Sequence, residues 1–154
     1  MLSTPEYGWT TFSLGSEKYR LSYLTSVPSE WLFQAIHGLE NLLPFTVHGF
    51  SEPGRVLCTV SYWNCHILFE DDGREKMQEG EATWHIAHVS MIDFCRILHE
   101  DISRDIDAWA CWHDDYEMTE NQRLQTRQDL ETQLRRLKEL IQEKAQHFID
   151  THFF

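Results

Sequence analysis

The hydrophobic pattern of this chain changes its period near residue 90. Before that point, apolar residues alternate with polar ones over short segments, a period typical of strands with one buried face. After Ser90, apolar residues recur every three or four positions, which is typical of helices. We therefore predict an α+β protein in a single domain, 1–154, with a sheet-forming part over 1–89 and a helical part over 90–154.

The sheet-forming part contains six segments with strand character and one with helix character. The predicted strands cover 9–14, 19–24, 45–50, 55–62, 65–69 and 84–89, and the first two flank a turn at Gly15-Ser16. Pro28 and Glu30 suit the first turn of a helix, which Pro44 ends. This pattern predicts an antiparallel sheet of about five to six strands, with one helix after the first hairpin.

Two helices are predicted in the C-terminal part. The first can be capped by Ser90 or Asp93 and continues to Trp109. Thr119, with Gln122 three residues later, forms a capping-box pattern at the start of a long last helix. In that helix a heptad-like seam runs through Leu130, Leu134, Leu137, Ile141 and Phe148. Two interpretations stay open: packing against the preceding helix, or a homodimer through Leu140, Ile141 and Phe148.

The chain is strongly acidic, with a net charge of −12 and a pI near 5.0. A field of this sign repels phosphate backbones and anionic lipids and attracts basic partners, so we expect no nucleic-acid or membrane binding. Residues 70–81 alone hold six acids against two bases. This segment is predicted to be an exposed hairpin loop.

We expect the protein to be cytoplasmic, because the sequence contains neither a secretory signal nor about 20 consecutive apolar residues. Its four cysteines, Cys58, Cys65, Cys95 and Cys111, are then expected to be reduced and mostly buried. A bridge between Cys58 and Cys65 across a hairpin is the alternative.

The sequence lacks a self-sufficient catalytic or metal-binding motif. His85 and His88, three apart on a strand, point to opposite faces, and Cys111 to Asp115 has no matching second ligand pair. No serine or cysteine occupies a nucleophile motif, and the glycines form no phosphate-binding loop. We predict no cofactor, no metal and no catalytic residue.

Aromatic residues at turns and at the ends of elements suggest a protein-binding surface instead. Trp63, Trp112 and Tyr116 are predicted to be exposed, whereas Trp84 and Trp109 are predicted to be core. With the neighbouring acids they define the following predicted partner-binding residues: Trp63, Asp71, Asp72, Glu75, Glu79, Glu81, Trp112, Asp114, Asp115 and Tyr116.

Part of the chain, residues 9–69, resembles small bacterial proteins of immunity-type or unassigned function. The resemblance lies in an initial hairpin, then Leu21-Ser22-Tyr23-Leu24, an amphipathic helix, and Phe50-Ser51-Glu52-Pro53-Gly54 before a strand pair. The long helical C-terminal part departs from the usual short ending of such proteins. The resemblance implies an inhibitor that accompanies a polymorphic toxin.

Three functional hypotheses follow. The first is a cytoplasmic immunity protein that occludes a basic toxin domain, such as a nuclease, with acidic side chains that mimic phosphates. The second is a structural or adaptor protein that dimerises through the last helix. The third is a metal-dependent enzyme that uses some of the nine histidines.

Overall fold

The computed structural model describes residues 1–71, 82–112 and 118–148, which form an α+β structure, as predicted. The strands are β1 (Trp9–Ser13), β2 (Lys18–Ser22), β3 (Phe45–Phe50), β4 (Arg55–Val60), β5 (Cys65–Glu70) and β6 (Ala82–Ala87). The helices are α1 (Val27–Asn41), α2 (Met91–Arg104), α3 (Ile106–Ala110) and α4 (Glu120–Lys144), and a short 3-10 helix, Ala145–Phe148, follows α4.

The described strands form two antiparallel sheets, so the prediction of one sheet with five to six strands is wrong in this detail. One sheet is the β1–β2 hairpin and the other is the meander β3-β4-β5-β6. The hairpin contacts the meander through side chains: Leu21 packs on Gly49, where an added Cβ would lie 2.9 Å from it. In addition, the Ser51 hydroxyl donates to the Arg20 carbonyl over 2.7 Å. Side-chain packing therefore replaces backbone pairing between β2 and β3.

Helix α1 packs across β3, on the side of the sheet that carries the core. Pro28 lies in its first turn, and Trp31, Leu32 and Leu39 are buried on one side. The helix ends at Leu42, which adopts a left-handed conformation with φ of 51° and donates its N–H to carbonyls of the last turn. This ending turns the chain directly into β3.

The predicted helix from Ser90 to Trp109 is two helices, because the chain leaves the helical conformation at Asp105. The cap at its start is confirmed, since the Ser90 hydroxyl accepts from the Asp93 N–H. The carboxylate of Asp105 accepts hydrogen bonds from Thr4 and Arg104. The position of the break therefore coincides with a tertiary contact to the N-terminal segment.

The last helix is confirmed, including its capping box. The Thr119 hydroxyl accepts from the Gln122 N–H at 3.1 Å, and the Gln122 side chain accepts from the Thr119 N–H at 2.9 Å. Its apolar seam is buried within the chain, against α1, α2 and α3. The members of that buried seam are Leu130, Leu134, Leu137 and Leu140. Of the two interpretations left open, the homodimer would need an exposed Leu140, and Leu140 is buried.

The core lies between the meander and the helices. The ring of Trp31 meets Phe12 edge-on at 5.3 Å and stacks on Phe94 at 6.4 Å, which joins the hairpin, α1 and α2. In the described residues, no helix is both long and apolar enough to cross a membrane.

Candidate functional site

The four-stranded meander has two faces of different character. Side chains alternate along each strand, as predicted for 55–62, so that every second residue faces the helices. These inner residues are buried and include Phe45, Val47, Val56, Cys58, Val60, Cys65, Ile67 and Ala87. The opposite surface is called the open face and consists of Thr46, His48, Phe50, Leu57, Thr59, His66, Leu68, Trp84 and Ile86.

The open face is apolar at its centre. The strand register places His48, Leu57, Leu68 and Trp84 side by side in one row across the four strands. Trp84 is 66% exposed and Ile86, two residues along β6, is 41% exposed. Large exposed aromatic and aliphatic side chains that adjoin one another are typical of protein-binding surfaces.

Ring contacts order the aromatic part of the open face. The imidazole of His66 stacks on Trp84 with ring centroids 6.4 Å apart and planes 17° apart. On the opposite strand, His48 meets Phe50 edge-on at 6.0 Å. Because each aromatic ring is held by a neighbour, little side-chain freedom remains to be lost when a partner binds.

Polar groups border the open face at both ends of the strands. At one end, Arg55 donates to Glu70 at 2.5 and 3.0 Å, and this hydrogen bond raises the pKa of the Arg55 guanidinium. At the other end, the hydroxyls of Thr46 and Thr59 lie 3.0 Å apart. An apolar centre with a polar border is the usual plan of a protein interface.

Of the predicted partner-binding residues, Asp71 and Trp63 are described and exposed. Asp71 directly follows β5, next to the Arg55–Glu70 end of the open face. Trp63 lies in the turn between β4 and β5, and its ring meets Phe148 edge-on at 5.9 Å. The structure therefore places Asp71 beside the open face, whereas Trp63 contacts the end of the helical part.

Trp112 was predicted to be exposed, and this prediction is wrong. It is 2% exposed, and its Nε1 donates to the Thr25 carbonyl at 2.7 Å. The ring also packs on Trp109, which is buried as predicted. Trp112 is therefore a core residue. The remaining predicted residues, Asp72, Glu75, Glu79, Glu81, Asp114, Asp115 and Tyr116, lie outside the described residues.

Sequence reasoning missed the most exposed large hydrophobic residue of the open face. Trp84 was predicted to be core, and this is wrong, since its ring projects from the sheet on the side away from the helices. Alternation within 84–89 places Trp84 and Ile86 on the same face of the strand, but the sequence carries no signal for which face the helices cover.

A second aromatic group lies under the hairpin, on the inner side of the sheet. Tyr19 stacks on Phe69 at 5.1 Å, and its hydroxyl lies 3.5 Å from His85 Nδ1. Burial, and then the charge of Glu17, raise the pKa of Tyr19. Among the described residues, His85 Nε2 is buried without a hydrogen-bond partner. This group borders an open cleft whose chemistry does not indicate a particular ligand.

Burial and hydrogen bonding keep the thiols of Cys58 and Cys95 protonated. Cys58, Cys65 and Cys95 are free and buried, as expected. A hydrogen bond with Cys65 and burial raise the pKa of Cys58, and burial raises that of Cys95 to about 12, so neither is a thiolate at neutral pH. In the described part of the chain, no three histidine, cysteine or acidic residues are grouped as metal ligands.

Comparisons with protein-family models, with curated proteins and with solved structures find no match to this chain.

Proposed function

We propose that this chain is an acidic protein-binding module of the immunity type, which neutralises a basic toxin domain by covering its active site. The observation that carries the proposal is the open face, with Trp84 and Ile86 at its exposed edge. A binding module needs an accessible apolar surface with ordered aromatic anchors, and the open face has both.

The charge of the chain supports a basic partner. With a net charge of −12, the molecule attracts a positively charged surface from a distance and accelerates its approach, an effect that salt weakens. Apolar anchors such as Trp84 act after the encounter and slow dissociation. Acidity and the open face therefore make separate contributions to the same interaction.

The alternative of an adaptor that dimerises through α4 has less support. The leucines of its seam, Leu130, Leu134, Leu137 and Leu140, are buried against other helices of the same chain. Only the half-buried Ile141 and Phe148 remain from the surface that this hypothesis needs. A dimer through Ile141 and Phe148 would therefore bury little apolar area.

The test is to co-express the chain with the basic protein encoded beside its gene. We expect the chain to restore growth and to bind the purified protein in calorimetry, with an affinity that falls between about 50 and about 300 mM salt. Trp84→Ser is expected to weaken binding by about tenfold or more, the loss typical of an interface anchor. Tyr7→Ser is the matched control, because Tyr7 is an exposed aromatic residue of the N-terminal segment, away from the open face.

Two results would count against the proposal. If the basic protein neither binds the chain nor is neutralised by it, the immunity function is wrong. If it binds but Trp84→Ser has the same affinity as the unchanged chain, the open face is not the interface.

A further inference from the structure

The tight turns of the meander determine which residues of each strand hydrogen-bond to which neighbouring strand. In the β4–β5 turn, the Ser61 N–H donates to the Asn64 carbonyl at 2.9 Å. Antiparallel strands alternate between residue pairs that exchange hydrogen bonds and pairs that do not. When residues are counted in steps of two from this turn, the residues of β5 that hydrogen-bond to β4 are His66, Leu68 and Glu70. The residues between them, Cys65, Ile67 and Phe69, therefore bond to β6.

This alternation determines which backbone N–H and C=O groups of β6 have no neighbouring strand to bond to. The β6 partners of Ile67 and Phe69 are His85 and Thr83, so these residues face β5. Trp84 and Ile86 direct their N–H and C=O groups to the other side, the outer edge of the sheet. Their backbone groups have no hydrogen-bond partner among the described residues. The two exposed large hydrophobic side chains of the open face thus belong to residues whose backbone groups are also unpaired among the described residues.

The opposite edge of the sheet, formed by β3, is capped at its centre. The Ser51 N–H donates to the Gly54 carbonyl at 2.9 Å, and the same counting directs the backbone of His48 outward. That outward carbonyl accepts a hydrogen bond from Trp31 Nε1 at 2.9 Å. A side chain of helix α1 therefore caps the β3 edge at His48, whereas no described element bonds to the outward backbone of β6.

The composition of β6 suits the addition of another strand. Its residues, Ala82–Ala87, include neither proline nor a charged side chain. Natural sheets protect their free edges with charges, prolines, bulges or covering segments, because an unprotected edge pairs with other chains. An exposed edge without such protection in the described residues is suited to binding a partner strand through main-chain hydrogen bonds.

The negative charge of the chain indicates which kind of segment pairs with the β6 edge. Residues 70–81, which join β5 to β6, carry six acids and two bases, and the whole chain carries −12. A second copy would bring the same negative charge, and like charges oppose association. We propose that β6 accepts an extended, lysine- or arginine-rich segment of the partner as a fifth strand of the sheet. This inference rests on the proposed function and specifies how the partner reaches the open face.

The alternation of side chains along a strand predicts the pattern of that segment. Every second side chain of the added strand would lie beside Trp84 and Ile86 on the open face, and these positions suit apolar residues. The basic residues of the segment would then occupy the intervening positions. The test therefore uses a synthetic probe, a twelve-residue peptide in which lysine alternates with valine and threonine.

Amide hydrogen exchange measured by NMR reports on the edge directly. In the free chain, we expect the amides of Trp84 and Ile86 to exchange at least about tenfold faster than those of Thr83 and His85, which face β5. With the lysine peptide bound, the exchange of the two edge amides should slow by about tenfold or more. A peptide with glutamate in place of lysine should leave both unchanged.

Ile86→Pro removes an outward N–H without removing a bond of the β5–β6 ladder, so a folded protein is expected. It should weaken peptide binding by at least about tenfold, whereas Ile86→Ala, which keeps the N–H, should weaken it less. Tyr7→Ser, which changes an exposed aromatic side chain away from the open face and from β6, should bind like the unchanged chain. If Ile86→Pro does not fold, the unchanged chain is tested instead with a lysine peptide that is methylated at alternate backbone nitrogens. This peptide should fail to bind the chain.

The outcomes separate this inference from the proposed function. If the intact basic protein binds through the open face while the Trp84 and Ile86 amides keep exchanging fast, strand addition is wrong and the proposed function stands. If neither the peptide nor the basic protein binds, both are wrong. A dimer in sedimentation that Ile86→Pro dissociates would instead make a second copy the occupant, contrary to this proposal.

Discussion

Trp84 and Trp112 carry the same side chain in opposite environments. Trp84 lies on the open face, where its indole contacts His66, and Trp112 lies in the core, where its Nε1 donates to the Thr25 carbonyl. Indole suits both positions, because it joins a large apolar surface to a single donor. Residue type alone therefore does not assign a tryptophan to core or surface.

The two tryptophans should respond differently to the same substitution. Trp112→Phe removes buried volume and one of the two hydrogen bonds that the Thr25 carbonyl accepts, so the free energy of unfolding should fall by about 2 to 4 kcal/mol. Trp84→Phe, the matched control, should change it by less than about 0.5 kcal/mol. Urea denaturation followed by circular dichroism measures both, and equal losses would show that the assigned environments are wrong.

At the scale of elements, the junction of α1 and β3 depends on a glycine inside a helix. An added Cβ on Gly38 would lie 2.2 Å from Cδ1 of Phe45, a core residue of β3. The chain turns at Leu42 and brings Phe45 back over the helix. Gly38 therefore allows helix and strand to approach each other closely.

Gly38→Ala tests this contact, because two effects oppose each other. Helix propensity alone predicts a gain of about 1 kcal/mol. The clash with the Phe45 ring predicts a net loss of about 1 to 3 kcal/mol, as for other overpacked cores. Thermal unfolding of Gly38→Ala, Phe45→Leu and the double variant measures the coupling. A stabilised Gly38→Ala protein, or additive effects in the double variant, would contradict the close approach.

Element types and caps were predictable from sequence, since they depend on neighbouring residues. The Ser90 cap, the capping box at Thr119 and the alternation in β4 all appear as predicted. The break at Asp105 was not predicted, because Asp105 bonds to Thr4, about a hundred residues away in sequence. Pairing of the hairpin with the meander was mispredicted for a related reason, because the side chain of Leu21 packs on the backbone of Gly49, a contact between residues far apart in sequence.

At the scale of the whole molecule, packing of α2 against α4 makes stability depend on pH. Burial, and then the charge of Lys138, lower the pKa of His99 below the ordinary 6.5, although Glu100 and the Leu134 carbonyl oppose this shift. The folded state then binds fewer protons than the unfolded state. The contribution of His99 to the free energy of unfolding is therefore complete above pH 6.5. It is lost as the pH falls from 6.5 through the lowered pKa of this residue.

His99→Gln should reduce this pH dependence. Between pH 7.5 and 5, the free energy of unfolding of the unchanged chain should fall more than that of His99→Gln. His37→Gln, which replaces an exposed histidine of α1, controls for the general effect of losing an imidazole. Urea denaturation across this pH range measures the difference. Parallel curves for the unchanged chain and His99→Gln would show that His99 does not contribute.

The sequence by itself determined the α+β class, the helix caps, the strand alternation and the acidity, because each depends on residue type and short-range spacing. Only the tertiary structure decided that Trp84 lies outside and Trp112 inside, that the hairpin stays out of the meander, and that the seam of α4 is filled within the chain. The reason is that burial depends on which apolar surfaces meet, and those contacts join residues that are far apart in sequence. The open face was hidden from sequence reasoning because alternation shows that a strand has two faces, whereas the packing of helices decides which one is covered.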